Sequence, residues 1–391
     1  MYSMGKFHTL YLETTRNCNL DCKYCSTGSS CKKKFADIPY DKIVRRVLEP
    51  AWALGTRNVS FSGGEFLLRD DHIDLLKIAN EMGFSVSIVS NGILLTDSKI
   101  QELKSILGDN LYVSLGINSF DLDNKETREV GTGFIMDVVN RLQKHGVRLN
   151  ICVTIGDFNK ESFRNTVETL QKLHLPFNRI PFVVRNCNAS ELMLNTEILQ
   201  KYFHPYLTDC YNGHVSFVPY FLNPNDYELI TGNKLQEDGF TTNPSVGCWV
   251  GSYYAINPEG YVSPCPLFAD SVYAGNVLNE NLEDILFKSE LFCKITDRKN
   301  LEGKCGKCKY TSTCGGCRVM AYYKTGNPFA EDPTCFIDKL SDEELSDYEK
   351  RTAKSFKNYN RMLRSAKGRN CLLLVSHLNP KRSFHKAERT D

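Results

Sequence analysis

Short apolar runs alternate with longer segments in which apolar residues recur at helical spacing through the first half of the chain. Runs of this length are typical of buried strands, and recurrence every three or four residues is typical of helices. The predicted strands lie at 8–15, 59–62, 84–90, 111–117, 147–155 and 179–184, and the predicted helices at 41–54, 71–82, 96–107, 134–145 and 160–173. This alternation predicts a parallel sheet with right-handed crossovers.

Six strand–helix units in series favour an α/β fold of the partial (βα)6, TIM-like barrel type. In such folds the chemistry lies at the carboxyl ends of the strands. Three unusual segments follow the first three predicted strands directly, namely Cys18 to Cys25, Gly63-Gly64-Glu65 and Ser90-Asn91-Gly92. We therefore expect these segments to meet at one edge of the sheet.

The pattern changes after the sixth unit and divides the chain into four parts. Residues 1–185 are predicted to form the barrel core, 186–247 an irregular bridge, 248–337 a small cysteine-rich domain, and 338–391 a charged helical tail. Helical spacing in the tail ends near Ser365. The polar, basic end that follows is expected to be disordered.

Charge and cysteine content narrow the functional classes. A formal charge of +2 over 391 residues gives no electrostatic reason to expect nucleic-acid binding. No apolar run approaches the length of a membrane span, and Met1 to His8 contain no apolar signal segment. The 16 cysteines include clusters of the C-x2-C type, which indicate metal binding in a reducing compartment. The expected location is the cytoplasm.

The first cysteine cluster has the spacing C-x3-C-x2-C over Cys18, Cys22 and Cys25. One loop thus provides three soft ligands and leaves a fourth coordination position open, which suits an iron–sulfur cluster with one free iron. A zinc knuckle or a chance trio of buried cysteines is the alternative. Cys31 falls outside this spacing and is expected to be a free thiol.

The segment Gly63-Gly64-Glu65 has a composition that suits ligand binding. Two glycines let the backbone approach a ligand closely, and their carbonyl groups can accept hydrogen bonds from an ammonium group. Glu65 adds a carboxylate. A simple turn at the end of a strand is the alternative interpretation.

The second group of cysteines occupies the last third of the chain. Seven thiolates are too many for one site and suit two. They are Cys248, Cys265, Cys305, Cys308, Cys314, Cys317 and Cys335. Two tetrahedral zinc sites are the alternative to iron–sulfur clusters.

The first cluster, with Tyr24 before its last cysteine, resembles the signature of radical SAM enzymes. The resemblance implies that Cys18, Cys22 and Cys25 hold a [4Fe–4S] cluster whose open iron is chelated by S-adenosylmethionine (SAM). Such enzymes cleave SAM reductively to a 5′-deoxyadenosyl radical, which abstracts hydrogen from a substrate.

The same resemblance implies roles for several other residues. Gly63, Gly64 and Glu65 would bind the methionyl amine of SAM, and Ser90 and Asn91 its ribose and carboxylate. Around the fourth strand the implied SAM-binding residues are Ser114 and Arg128. Asn118 stands where the family usually has an aspartate, which weakens the expected ribose contact there, and Thr154 and Asn159 are weaker candidates.

The distal cysteines resemble the SPASM extension of radical SAM proteins, which implies two auxiliary [4Fe–4S] clusters. By analogy the first takes Cys248, Cys265 and Cys317. The second would take Cys305, Cys308, Cys314 and Cys335. The first set lacks one cysteine of the family pattern, so it either has an open iron or recruits Cys293 or Cys210.

Residues 314–335 resemble the subgroup that contains haem-biosynthetic radical SAM enzymes and peptide maturases. The leading hypothesis is an oxidoreductase that modifies a ribosomally made peptide by a cross-link, thioether or oxidation. The alternatives are a tetrapyrrole side-chain enzyme, with Arg179, Arg185 and Arg318 as anchors, and a non-enzymatic metal-binding scaffold.

The implied partners are a peptide or small-molecule substrate and a low-potential electron donor of the flavodoxin or ferredoxin type. The predicted barrel starts within ten residues of Met1. Recognition of a leader peptide is therefore expected from a separate protein or from the tail.

Overall fold

The computed structural model describes residues 7–184, 190–208, 217–232, 235, 246–268 and 270–364. Arg185, Cys210 and the predicted disordered end lie outside this part of the chain. Within these residues nine strands form one sheet, and six of the nine correspond to the predicted ones. The strands are β1 (Thr9–Glu13), β2 (Asn58–Ser62), β3 (Ser85–Ser90), β4 (Tyr112–Ile117), β5 (Arg148–Ile155), β6 (Phe177–Pro181), β7 (Tyr253–Ile256), β8 (Tyr261–Ser263) and β9 (Gly275–Asn276).

The sheet has the order β6-β5-β4-β3-β2-β1-β7-β8-β9. Strands β1 to β6 are all parallel to their neighbours, as the alternating pattern predicts. The α/β architecture with a partial (βα)6 barrel is thereby confirmed. The cysteine-rich part continues the same sheet, because β7 pairs in parallel with β1 (Thr9 opposite Tyr253) and β8 and β9 follow in antiparallel order.

The helices of the barrel connect successive strands. A run that contains a π-helical segment, Tyr40–Ile43, Val44–Leu48 and Glu49–Ala53, follows the first cysteine loop. The remaining barrel helices are His72–Glu81, Asp97–Leu107, Leu122–Arg128, Thr132–Lys144 and Phe163–Lys172. The sequence pattern predicts each of these positions except Leu122–Arg128.

Helices also cover the bridge, the cysteine-rich part and the tail. They include Thr196–Ile198, the π-helical Leu199–Phe203, His204–Thr208, Pro224–Thr231, Leu282–Lys288, Glu290–Ile295, Gly303–Lys307, Arg318–Thr325 and Asp342–Arg364. The last of these confirms the helical tail. Among the described residues, no helix is both long enough and apolar enough to cross a membrane.

Alternation along the central strands separates a polar interior from an apolar core. On β5, Asn150, Cys152 and Thr154 line a cavity, while Ile151 and Val153 belong to the hydrophobic core. The same period of two along β4 directs Tyr112, Ser114 and Gly116 to the cavity. Since side chains of a strand point alternately to opposite faces, the polar positions of these buried strands locate the interior of the barrel.

Candidate functional site

One cavity of about 510 Å³ connects the mouth of the barrel with the cysteine-rich part. Cys18, Cys22 and Cys25 line it on the barrel side. Its wall also contains Cys248, Cys265 and Cys317, which lie more than 200 residues later in the chain. The fold therefore gathers both groups of thiols around one space large enough for a small molecule or a peptide segment.

Tyr24 anchors the first cysteine loop. Its ring stacks on Phe158 with 4.9 Å between ring centroids, and its hydroxyl accepts a hydrogen bond from the side-chain amide of Asn118. The backbone N–H of Lys23 donates to the carbonyl of Thr127 across 3.3 Å. These contacts attach the loop to the ends of β4 and β5, so the aromatic residue of the motif positions the flanking cysteines.

The thiols of this loop are partly buried and influence one another. Burial raises the pKa of Cys18 to about 12, and the negative charges of Glu65 and Cys22 add to this effect. Burial also raises the pKa of Cys22. The ionised form that binds metal is thus unfavourable without a cation to offset its charge, and the iron of a cluster would provide that charge. Within the described residues, no three His, Cys, Asp or Glu side chains converge to hold a single metal ion.

Gly63 and Gly64 border the cavity because the chain packs tightly against the segment that follows β1. The N–H of Gly64 donates to the carbonyl of Thr15 across 2.7 Å, and the N–H of Glu65 donates to Asn17 across 2.8 Å. A Cβ atom at Gly63 would lie 2.3 Å from the carbonyl oxygen of Thr15, and its φ of +139° is rarely adopted by other residues. No larger residue fits either position without displacing backbone.

Glu65 is not among the residues that line the cavity, and it organises the end of the next strand. It is fully buried, and its carboxylate accepts hydrogen bonds from Ser90 Oγ at 3.1 Å and from the Asn91 N–H at 2.9 Å. It also accepts a bond from the N–H of Leu67. Ser90 and Asn91 themselves line the cavity. The geometry therefore makes Glu65 a positioning residue for these two side chains.

Arg128 lies at the end of helix Leu122–Arg128 and turns back over β4 into the cavity. A Cβ atom at Gly116 would be 3.0 Å from Nη2 of Arg128, so the glycine provides the space for the guanidinium. Burial tends to lower the pKa of Arg128, but nearby Tyr24 and Cys22 raise it above its ordinary value. This arrangement favours the cofactor-binding interpretation of Arg128 over a solvated arginine at a helix end.

The other polar residues near β4 and β5 divide into two groups. Ser114 and Thr154 line the cavity. Asn118 instead donates to Tyr24 and to Thr127 Oγ1, and Asn159 donates to the backbone carbonyls of Asn118 and Thr154. Asn118 and Asn159 therefore stabilise the loops around the cavity and are not among its lining residues.

The first set of distal cysteines shares the main cavity with a tyrosine. The hydroxyl of Tyr253 donates a hydrogen bond to Sγ of Cys265 across 3.0 Å, and the phenol also lies within electrostatic range of Cys248 and Cys317. Cys293, one possible further ligand, is exposed and interacts with the carbonyl of Phe287. It is not among the residues that line the cavity.

The second set surrounds a separate, small cavity of about 30 Å³. The four cysteines that line this cavity are Cys305, Cys308, Cys314 and Cys335. Backbone N–H groups point at three of their sulfur atoms: Asp332 at Cys305, Tyr310 at Cys308 and Tyr220 at Cys314, over 3.2 to 3.5 Å. Such bonds stabilise negative charge on sulfur.

Two buried arginines add positive charge near these thiols. Arg318 donates to the backbone carbonyls of Gly316, Pro328 and Ala330, and its Nη2 lies 3.6 Å from Sγ of Cys305. Arg298 donates to three backbone carbonyls, including that of Cys248. Buried charges require compensation, and an anionic iron–sulfur cluster would provide it. The donor set around both cavities therefore fits clusters.

Two residues of the cavity wall are absent from the site residues predicted from the sequence. Cys152 is buried on β5, where its Sγ lies 3.1 Å from Oδ1 of Asn178. Tyr253 lies on β7, a strand that the sequence pattern does not predict. For Cys152, the alternation of Asn150, Cys152 and Thr154 with apolar residues is a signal that could have identified it.

Sequence profiles of two known domains match the two halves of this site. The profile of the Radical SAM superfamily matches residues 12–170, and that of the SPASM iron–sulfur cluster-binding domain matches residues 248–317. The chain belongs to the radical SAM superfamily. It is therefore a radical SAM enzyme with a SPASM domain, and these domains imply a [4Fe–4S] cluster and SAM as its cofactors.

Curated relatives fall into two named groups. AdoMet-dependent heme synthase from Methanosarcina barkeri is 25% identical over 345 residues, which cover 83% of this chain and 94% of that protein. PqqA peptide cyclase from Ruegeria pomeroyi is 23% identical over 342 residues, which cover 83% of this chain and 85% of that protein.

Several solved structures share this fold. The structure of anSMEcpe with bound AdoMet aligns with a TM-score of 0.66 and 17% identity, over 90% of this chain and 99% of that one. SuiB from Streptococcus suis aligns with a TM-score of 0.62 and 19% identity, over 84% of this chain and 77% of that one.

Proposed function

We propose that this radical SAM enzyme modifies a ribosomally synthesised peptide by oxidation, cross-linking or thioether formation. The main support is the single cavity into which both Cys18, Cys22 and Cys25 and the first SPASM cysteine set open. A substrate held there would be close both to the site of radical formation and to a group able to accept an electron.

In this proposal each cofactor is held by residues that the structure brings together. Cys18, Cys22 and Cys25 would hold the cluster that binds SAM, and the two distal cysteine sets would hold one auxiliary [4Fe–4S] cluster each. When bound, the first cluster and SAM would supply the radical chemistry that removes a hydrogen atom from the substrate. The backbone of Gly63 and Gly64 binds the methionyl amine, and the guanidinium of Arg128 binds the carboxylate of SAM.

The remaining cavity residues control orientation and access. Ser90 and Asn91, oriented by the buried carboxylate of Glu65, provide polar contacts to SAM. The SPASM residues close one side of the barrel mouth, which limits the access of water to reactive groups.

Relatives support a peptide as the substrate. The PqqA peptide cyclases cover more than four fifths of this chain, and one of the solved neighbours is SuiB bound to the precursor peptide SuiA. A tetrapyrrole is the second candidate, because the heme synthases match at slightly higher identity and a buried arginine, Arg179, lines the cavity. The third hypothesis, a non-enzymatic metal-binding scaffold, has no support because the relatives are named as enzymes.

The number of clusters is tested by iron content. Full-length protein reconstituted without oxygen should bind about 12 iron atoms, four for each of three clusters. Cys305→Ala should lose roughly four of them, whereas Cys293→Ala, at an exposed position, should lose none. An unchanged iron content in Cys305→Ala would contradict the assignment of the second SPASM set.

The activity is tested by reduction of the loaded protein with dithionite in the presence of SAM. Formation of 5′-deoxyadenosine is expected, and its absence from protein with all clusters loaded would refute the proposal. Mass spectrometry then compares two substrates, namely a peptide encoded by a short gene beside this one and a porphyrin with free propionates. If only the porphyrin changes in mass, the substrate is a tetrapyrrole and the proposed peptide substrate is wrong.

A further inference from the structure

Arg179 is a buried cation in the wall of the main cavity. It lies on β6, is 9% exposed, and lines the cavity with Phe182, Phe217 and Trp249. Its Nη2 donates to the backbone carbonyl of Val218 across 3.2 Å. Its buried Nε has no hydrogen-bond partner among the described residues.

No carboxylate in the described part of the chain forms an ion pair with Arg179. The thiol of Cys317 and the carboxylate of Asp332 both act electrostatically on Arg179, but the oxygens of Asp332 accept bonds from the N–H of Cys317 at 2.7 Å and from the N–H and hydroxyl of Thr334. Burial lowers the pKa of Arg179 below its ordinary value, yet a guanidinium stays protonated at neutral pH. An anionic cluster on the nearby cysteines would offset part of this buried charge, and an anionic ligand in the cavity would supply the direct ion pair that the described residues do not provide.

The other arginines of the cavity wall are already committed. Arg318 uses Nε, Nη1 and Nη2 for backbone carbonyls and for the sulfur of Cys305. Arg128 lies beside Tyr24 and Cys22 of the first cysteine loop. Arg179 thus has a donor, its Nε, without a partner among the described residues, and the same holds for the indole Nε1 of Trp249, which lines the same cavity.

We propose that Arg179 binds a carboxylate of the substrate, with the apolar surface of Phe182 and Phe217 beside the carbon chain that carries it. This inference rests on the proposed function and adds the chemistry by which the substrate is recognised. The carboxylate belongs to an acidic side chain if the substrate is a peptide, and to a propionate if it is a tetrapyrrole. Guanidinium groups bind carboxylates by two parallel hydrogen bonds, which also fixes orientation.

The test measures binding to full-length, cluster-loaded protein by anaerobic calorimetry with two matched pairs of probes. One pair is acetyl-Ala-Glu-Ala-amide and its Gln analogue. The other is a porphyrin with two propionates and its dimethyl ester. In the wild-type protein at least one carboxylate probe should bind about tenfold or more tightly than its neutral partner, and the pair that shows this preference identifies the carrier.

Arg179→Gln should remove this preference, and Arg179→Lys should keep part of it because the charge remains. Arg164→Gln, which removes an exposed arginine paired with Glu168 on the outside of the barrel, should leave the preference unchanged. Iron content of each variant serves as the check that the protein is folded and loaded.

Two results would overturn the inference. One is a wild-type protein without preference for the carboxylate in either pair. The other is an unchanged preference in Arg179→Gln. If that variant shifts the midpoint potential of an auxiliary cluster while the preference persists, Arg179 serves to balance the charge of the cluster. Formation of 5′-deoxyadenosine without substrate, measured on the same preparations, reports separately on the proposed function.

Discussion

The phenol of Tyr253 donates a hydrogen bond to Sγ of Cys265 across 3.0 Å inside the main cavity. Both residues belong to the cysteine-rich part, and Tyr253 reaches this position because β7 pairs with β1 of the barrel. A donor at a ligand sulfur stabilises the more negative, reduced form of an iron–sulfur cluster.

Tyr253→Phe is therefore expected to lower the midpoint potential of the first auxiliary cluster. A loss of about 1 kcal/mol in differential stabilisation corresponds to about 40 mV for one electron. Redox titration followed by EPR measures the shift. Tyr273→Phe is the matched control and should leave all potentials unchanged, because Tyr273 is exposed and its ring contacts only that of Tyr261 among the aromatic rings described. Equal potentials in Tyr253→Phe and wild type would show that this sulfur does not ligate the cluster.

Gly63→Ala is expected to weaken SAM binding at least tenfold, together with a loss of stability of several kcal/mol. The added methyl group would lie 2.3 Å from the carbonyl oxygen of Thr15 and would move the backbone that borders the cavity. Gly133→Ala on helix Thr132–Lys144 meets no atom within 4 Å and should raise stability by up to about 1 kcal/mol. Equilibrium dialysis with labelled SAM and thermal denaturation measure the two effects. Wild-type affinity in Gly63→Ala would contradict the assignment.

Arg128→Gln should raise the dissociation constant of SAM about 10- to 100-fold, because a charge-assisted pair with its carboxylate contributes about 1.5–3 kcal/mol. Arg128→Lys should recover part of this affinity, since the charge is retained but the planar fork is lost. The control is decarboxylated SAM, for which Arg128→Gln and wild type should have similar affinities. If the variant weakens both compounds equally, Arg128 acts on the structure of the cavity and does not bind the carboxylate.

Glu65 should make the stability of the protein depend on pH. Burial raises its pKa to about 7 in the folded state, above its ordinary value of 4.5. The protonated form is thus favoured by folding, so its contribution is complete below pH 4.5 and is lost as the pH rises to about 7. The expected loss is about 3 kcal/mol.

Thermal denaturation of wild type and Glu65→Gln at pH values from 5 to 8 measures this effect. The wild type should lose stability relative to the variant as the pH rises to about 7, with a constant difference above that value. Glu168→Gln, at an exposed helical site, is the control and should follow the wild type. A difference between wild type and Glu65→Gln that does not vary with pH would contradict the raised pKa.

The strands of the barrel could be predicted because burial on both faces leaves a local signature of apolar runs. Helix Leu122–Arg128 has no such signature, since Leu122 is 78% exposed. It is held instead by Asn124, whose side chain accepts from the N–H of Asn118 and donates to the carbonyl of Val130. Polar contacts of this kind have no period along the sequence, so the pattern of apolar residues does not show them.

The direction of the Glu65 side chain is a second feature that could not be predicted from the sequence. The motif Gly63-Gly64-Glu65 marks a strand end near a ligand, but residue type does not determine the direction of the side chain. In the structure the glycine backbone borders the cavity, while the carboxylate is buried behind it against Ser90 and Asn91.

The six barrel strands, the cysteine spacings and the family that these spacings indicate can all be predicted from the chain, because each is a property of neighbouring residues. Folding alone places β7 beside β1 in the barrel sheet and turns Cys248, Cys265 and Cys317 to the same cavity as Cys18, Cys22 and Cys25. Both features depend on segments more than 200 residues apart, and no local pattern records such pairing. The lack of a described carboxylate partner for Arg179 is likewise visible only once the chain is folded.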